Sequence, residues 1–382
     1  MPSRSVRARW AGVAGLVLLA VVAVLAFQGR ARHQVYDFEV YRTAGVRALA
    51  GENLYRVEDG HWQFKYLPAF ALLVAPIAAL PAMAAKGVWF FSSVALLVVL
   101  LNRSLRLLPD RRRTGALLVT LTVLALGKFY GRELGLGQSN LLLAVVVLFA
   151  VAAFKAGREV LAGVLLALAA VVKPYAVIFL PYLAARRMTK ATAGFLATLL
   201  AAALLPALRY GLKGNLTLLA GWWGTVTTST APNLVVQDNI SFGGVYAKWL
   251  GTGPLASALA LATGAVVVLT CGALLLRKAQ VPFREYLDTA VLMMLMPLVS
   301  PQGWDYVLLV STPAVMLLLD RLGEFRVPAQ VLLGLCLAVA GLTFWDVVGR
   351  EAYRVFMVAS VITFCALVEI GMILALRVRR AA

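Results

Sequence analysis

The sequence predicts an all-α polytopic integral membrane protein, and three observations carry that prediction. Of its 382 residues, 62% are apolar and only 14% charged, with a mean hydropathy of +0.87; soluble domains run at about 45–50% and about 25%. Apolar runs able to cross about 30 Å of hydrocarbon recur from Trp10 to Leu376. No segment alternates with a period of two for long enough to make a membrane β-strand. A soluble enzyme, a disordered chain and a disulfide scaffold are thereby excluded.

Taken in order, the apolar runs place membrane segments near residues 10–27, 82–102, 115–130, 139–154, 160–185, 192–208, 254–276, 287–300, 304–320, 328–346 and 354–376. Arg4, Arg7 and Arg9 precede the first. Its length, and the poor cleavage site at Ala26-Phe27-Gln28, favour an uncleaved helix over a secretory signal. Tyr66 to Leu80 is short, holds Pro68 and Pro76 and ends at Pro81, which fits a re-entrant or interfacial helix. Leu161 to Ala185 is interrupted by Lys173-Pro174. Proline removes a backbone donor and disfavours helix at the residue before it, so two short helices meeting at Lys173 are expected.

The formal charge of +19 reads as membrane orientation rather than nucleic-acid binding, because Lys and Arg cluster in short loops between apolar runs. On this topology 21 of the 36 basic residues lie inside, against 6 of the 17 acids. Both termini are then cytoplasmic, and the lack of eukaryotic targeting signals suits a bacterial inner membrane. Cys271, Cys336 and Cys365 all lie within apolar runs and are read as small core hydrophobes. The chain is read as one integral domain with two long extracytoplasmic loops, 28–65 and 209–253, whose Trp and Tyr content suits the bilayer interface.

Polar residues near the membrane are few, so each is a candidate. Asp37 and Glu39 follow the first helix closely; a partly desolvated carboxylate there can work as a general base, or both can be solvated acids countered by Arg42 and Arg47. Lys173, at a helix break, suits an anionic ligand such as a lipid phosphate, or it snorkels to the interface. Lys128, Arg132 and Lys65 are further outer cations. Gly137-Gln138-Ser139-Asn140 and Ser300-Pro301-Gln302-Gly303-Trp304-Asp305-Tyr306 are polar interruptions able to cap helices or to bind sugar hydroxyls. No phosphate-binding glycine loop, zinc motif or nucleophile elbow is present, and His33 and His61 are the only histidines. Nothing visible calls for a metal or other cofactor.

In their order, the stretches Asp37-Phe38-Glu39-Val40-Tyr41, Gly51-Glu52-Asn53-Leu54-Tyr55, Tyr66-Leu67-Pro68, Gly137-Gln138-Ser139-Asn140, Gly163 through Lys173-Pro174, Asn239-Ile240-Ser241 and Ser300-Pro301 with Trp304 resemble glycosyltransferase family 87. These are the polyprenol-phosphate-mannose-dependent mannosyltransferases of the GT-C superfamily. The resemblance implies a bundle of about 11–12 transmembrane helices whose long first extracytoplasmic loop carries interfacial helices. It implies transfer of a hexosyl, in the family mannosyl, residue from a polyprenyl-phosphate sugar to a lipid-linked or glycan acceptor outside the membrane, with inversion. Asp37 is then the general base, with Glu39 the alternative. Lys173, joined by Arg132 and Lys128, is expected to hold the donor phosphate. Tyr66, Gln138, Asn140, Asn239, Ser300, Trp304 and Asp305 are expected to line the sugar or acceptor cavity. Family members often carry histidine shortly after the Ser-Pro and Trp pattern, whereas this chain has Asp305-Tyr306, a departure that bears on which sugar or acceptor is taken. A secondary transporter or lipid flippase is the alternative from another class, though only one strong helix break and one mid-helix acid, Glu369, are present. A membrane acyltransferase or an assembly subunit is a third.

Overall fold

The computed structural model describes residues 21–277 and 281–379, and over these the protein is all-α. Its helices are α1 (Tyr36–Ala50), α2 (Pro68–Ala78), α3 (Ala82–Leu107), α4 (Gly115–Leu136), α5 (Asn140–Lys155), α6 (Glu159–Val172), α7 (Phe179–Ala185), α8 (Thr189–Leu204), α9 (Ala207–Leu234), α10 (Phe242–Leu250), α11 (Pro254–Leu276), α12 (Arg284–Val299), α13 (Thr312–Asp320), α14 (Val327–Leu342), α15 (Arg350–Val358) and α16 (Val361–Arg379). Most of the expected first helix, Trp10 to Phe27, lies outside the described residues; from Val21 onward the chain is helical.

Among the described residues, α3, α11 and most of α16 are each long and apolar enough to cross a membrane. Two bent pairs, α4 with α5 (117°) and α8 with α9 (89°), satisfy the same condition together. The expectation of about 11–12 crossings exceeds these three to five, because several apolar runs fold as shorter helices: α2, α6, residues 174–185 and α14. α12 and α13 are buried nearly all round, the mark of helices at the centre of a bundle.

Residues 209–253, read as a long extracytoplasmic loop, are largely helical. α9 runs 28 residues with a non-helical joint at Gly211. Its Thr217, Thr227, Thr228 and Thr230 hydroxyls donate back to carbonyls one turn earlier, so these hydroxyls are satisfied inside the helix.

The break at Lys173 takes the form expected. Pro174 drives Lys173 to an extended backbone (φ −143°, ψ 112°), α6 stops at Val172, and the chain resumes as a 3₁₀ turn over Pro174–Ile178. α6 itself is set by close packing on α8. A Cβ on Gly163 would lie 1.9 Å from the Ala191 carbonyl oxygen, and one on Gly194 2.7 Å from that of Val160, an approach only small residues permit. Gly163→Ala is therefore expected to push the two helices apart at a cost of about 1–3 kcal/mol. A lowered thermal unfolding midpoint in detergent is the expected result; an unchanged midpoint would show that α8 yields freely.

Candidate active site

A cavity of about 710 Å³ opens between α1, the 61–66 segment, the Lys173 break, α9 and the 299–307 segment. Each wall is placed by a local rule. α1 buries Phe38, Tyr41, Ala44, Gly45 and Ala48, a helical stripe, and α2 packs against it. That seats Asp37, in the first turn of α1, at the cavity edge. α4 ends at Gly137, whose φ of +71° is left-handed and whose N–H, with that of Gln138, bonds to the Glu133 carbonyl. A Cβ on Gly137 would also lie 2.9 Å from the Phe38 Cβ, so glycine is required there twice over. The turn delivers Gln138 to the cavity wall.

The wall is one hydrogen-bonded network. Lys173 Nζ donates to Tyr66 Oη (2.8 Å) and Gln138 Oε1 (2.9 Å) and lies 4.7 Å from the centre of the Tyr66 ring. The Tyr41 hydroxyl donates to Gln138 Oε1 (3.0 Å) and shares a 2.7 Å bond with Tyr66 Oη. Gln138 Nε2 donates to the Tyr306 hydroxyl (3.1 Å). Both hydrogen-bond partners of Lys173 are thus uncharged, and its side chain is buried. Lys65 lines the same cavity. The Asp37 carboxyl, half-buried, is pushed above the usual carboxylate range by burial, against the pull of a Gln138 hydrogen bond and of Lys173, Lys65 and His61. Burial lowers the Lys65 pKa, with Lys173 adding to the effect and Asp37 opposing it. A carboxylate short of full solvation and two cations in one cavity are the groups that proton transfer and anion binding require.

Other expected residues lie elsewhere. Arg132 reaches the cavity, but its guanidinium is held by Asp305 (2.5 Å) and Asp238 (2.8 Å). Lys128 is buried outside the cavity lining, 2.9 Å from Asp305 Oδ2. Both cations are thus engaged with the carboxylates Asp305 and Asp238, and Asp305 is fully buried and off the cavity lining. Asn140 also sits off the lining: its Nδ2 donates to Glu133 and its Oδ1 accepts from Tyr175. Asn239 braces backbone, donating to the carbonyls of Asn233 and Pro301 while accepting from Ser241 N–H. It thereby holds the 300–304 segment, with Ile240 N–H on Gly303 (2.7 Å), so that Ser300 and Trp304 do line the cavity. Glu39 points away from it, 2.8 Å from Lys86 and 3.8 Å from Arg42.

Among the residues beyond the sequence-based site set, Tyr41, Tyr306, Asp238 and Trp222 also line the cavity. Glu133 supports it from behind, accepting from Asn140 Nδ2 (2.7 Å) and Leu141 N–H (2.9 Å) at the start of α5, where a helix favours negative charge. A carboxylate a short glycine turn ahead of an apolar run was the one local signal available for it.

The sequence model of glycosyltransferase family 87 matches residues 64–301, more than half of the chain and most of the cavity's walls. No curated protein and no solved structure matches.

Proposed function

Because the chain belongs to glycosyltransferase family 87, and is thus a membrane glycosyltransferase, we propose that the 710 Å³ cavity transfers a hexosyl residue from a polyprenyl-phosphate donor to a lipid-linked or glycan hydroxyl with inversion. The observation that carries this reading is the sharing of one cavity by the Asp37 carboxylate and the Lys173 ammonium, with Lys65 on the same lining. In the proposed step the acceptor oxygen bonds to the anomeric carbon as the bond from that carbon to the phosphate oxygen breaks. The bonding pair leaves with the polyprenyl phosphate, and Asp37 takes the acceptor's proton. Lys173 and Lys65 offset the charge that collects on the leaving phosphate, an interaction strengthened where water is excluded. Lys128 and Arg132, expected from sequence to hold the phosphate, act in this reading as the buried brace of the opposite wall.

The cavity's composition supports a lipid donor. Val177, Ile178, Trp222, Val226 and Val268 give it an apolar side, while Asp37, Lys65, Lys173 and Gln138 give it a polar one. A lipid phosphate needs both. The polar face is read as extracytoplasmic, consistent with the loop charges; the family's mannose is the first sugar to try, and the departure at Asp305-Tyr306 puts other hexoses beside it. Purified protein in proteoliposomes, supplied with polyprenyl-phosphate mannose labelled in the sugar and a lipid extract, is expected to move label into a new glycolipid. Passage of intact donor across the vesicle with no new covalent product would instead establish a transporter.

A further inference from the structure

A second cavity of about 230 Å³ lies on the other side of α1, lined by Tyr36, Glu39, Val40, Thr43, Arg47, Asp59, Trp62 and Phe64. It shares Val40 and Trp62 with the larger one, so the two cavities meet at those side chains. At that size it is smaller than the about 300–1,000 Å³ of pockets for drug-sized ligands, and suits one sugar ring. Tyr36 and Trp62, 49% and 46% exposed, face each other with ring centres 5.6 Å apart and offer apolar surface of the kind a pyranose C–H face stacks on. Around them stand groups that match hydroxyls. Glu39 keeps free lone pairs beside Lys86, and Thr43 adds a hydroxyl. Arg47 is locked to Asp59 by two bonds of 2.5 and 2.8 Å, which fixes both while leaving further N–H donors.

Exposed aromatics near a bilayer are often interfacial anchors, but anchors sit against lipid. These two stand over a half-buried ion pair and a carboxylate instead. We propose that this second cavity is a saccharide subsite that holds the sugar unit next to the reacting one, so that the acceptor is a glycan of at least two sugar residues spanning both cavities across Trp62. The proposal rests on the transfer reading of the larger cavity for its orientation, but the binding it claims can be read without any transfer.

The test uses full-length protein in nanodiscs without donor, titrated with methyl glycosides and the corresponding α-linked disaccharides of mannose, glucose and galactose. For one of the three sugars, the wild type is expected to bind the disaccharide at least about tenfold more tightly than the methyl glycoside, the gain a stacked ring and one or two added hydrogen bonds give. Tyr36→Ala, which removes the platform, and Thr43→Trp, which fills the cavity from an exposed helix position, are expected to lose that preference and keep the methyl glycoside affinity. Should Thr43→Trp fail to fold, Tyr36→Ala still decides. No disaccharide preference in the wild type overturns the proposal, as does a preference that survives Tyr36→Ala. A preference lost in the variants, in a protein that transfers no sugar, would support the subsite and overturn the transfer reading instead.

Discussion

Asp37→Asn is expected to lower the rate of sugar transfer by at least about a hundredfold, within the range for loss of a general base, while donor affinity changes little. The amide keeps the size of the carboxylate and can still hydrogen-bond to Gln138, so the cavity wall stays intact. What disappears is the group that takes the acceptor's proton. Because burial holds the Asp37 carboxyl above the ordinary carboxylate range, and only the ionised form acts as base, the wild-type rate rises with pH through a midpoint above about 3.9, the unperturbed aspartate value. The variant should show no such limb. Near-full activity in Asp37→Asn, measured as initial transfer rates over pH, would remove Asp37 from the chemistry.

Lys173→Met is expected to act on two quantities at once. The alkyl chain keeps much of the packing against Tyr66, but the ammonium that faces the proposed phosphate is gone. Donor KM should rise at least tenfold, the size of a lost charge-assisted contact of about 1.5–3 kcal/mol. A second effect follows from the electrostatics of the wall. Lys173 lowers the Asp37 pKa, so its removal raises that pKa further and shifts the acid limb of the rate profile to higher pH. Lys65→Met should shift the limb in the same direction by less, because Lys65 acts on Asp37 more weakly than Lys173 does. A raised KM with an unmoved limb would mean that Lys173 binds the donor from a place remote from the base.

The parts of the site that were legible in the sequence are those set by local chemistry. Pro174 must break its helix and leave the preceding lysine extended, and Gly137 with Gln138, Ser139 and Asn140 interrupts two apolar runs. Lys173 could therefore be placed at a helix break from residue types alone, while its sharing a cavity with Gln138 and Tyr66 was implied by the family resemblance. The parts that were not legible depend on partners distant in the chain. Nothing near Arg132 announces that its guanidinium meets Asp305, 173 residues away, or that Lys128 shares the same carboxylate; both looked like free outer cations. Asn239 looked like a sugar ligand and is a backbone brace, because its partner at Pro301 lies 62 residues on. α9 looked like a loop because the stretch between apolar runs is long and carries interfacial Trp and Tyr, and only the folded helix shows its threonine hydroxyls turned back on its own carbonyls. The second cavity depends on Asp59 returning to Arg47 across a short turn, a pairing with no sequence signature.

The measurement that tests the central claim most directly is the anomeric configuration of the transferred sugar, read by NMR on product made by the wild-type protein from a donor of known configuration. With Asp37 as base in a single displacement, the configuration is inverted and no sugar is ever bonded to the protein. Retention, or a hexose trapped on Asp37 and seen by mass spectrometry of the intact chain, would contradict the account by making Asp37 a nucleophile.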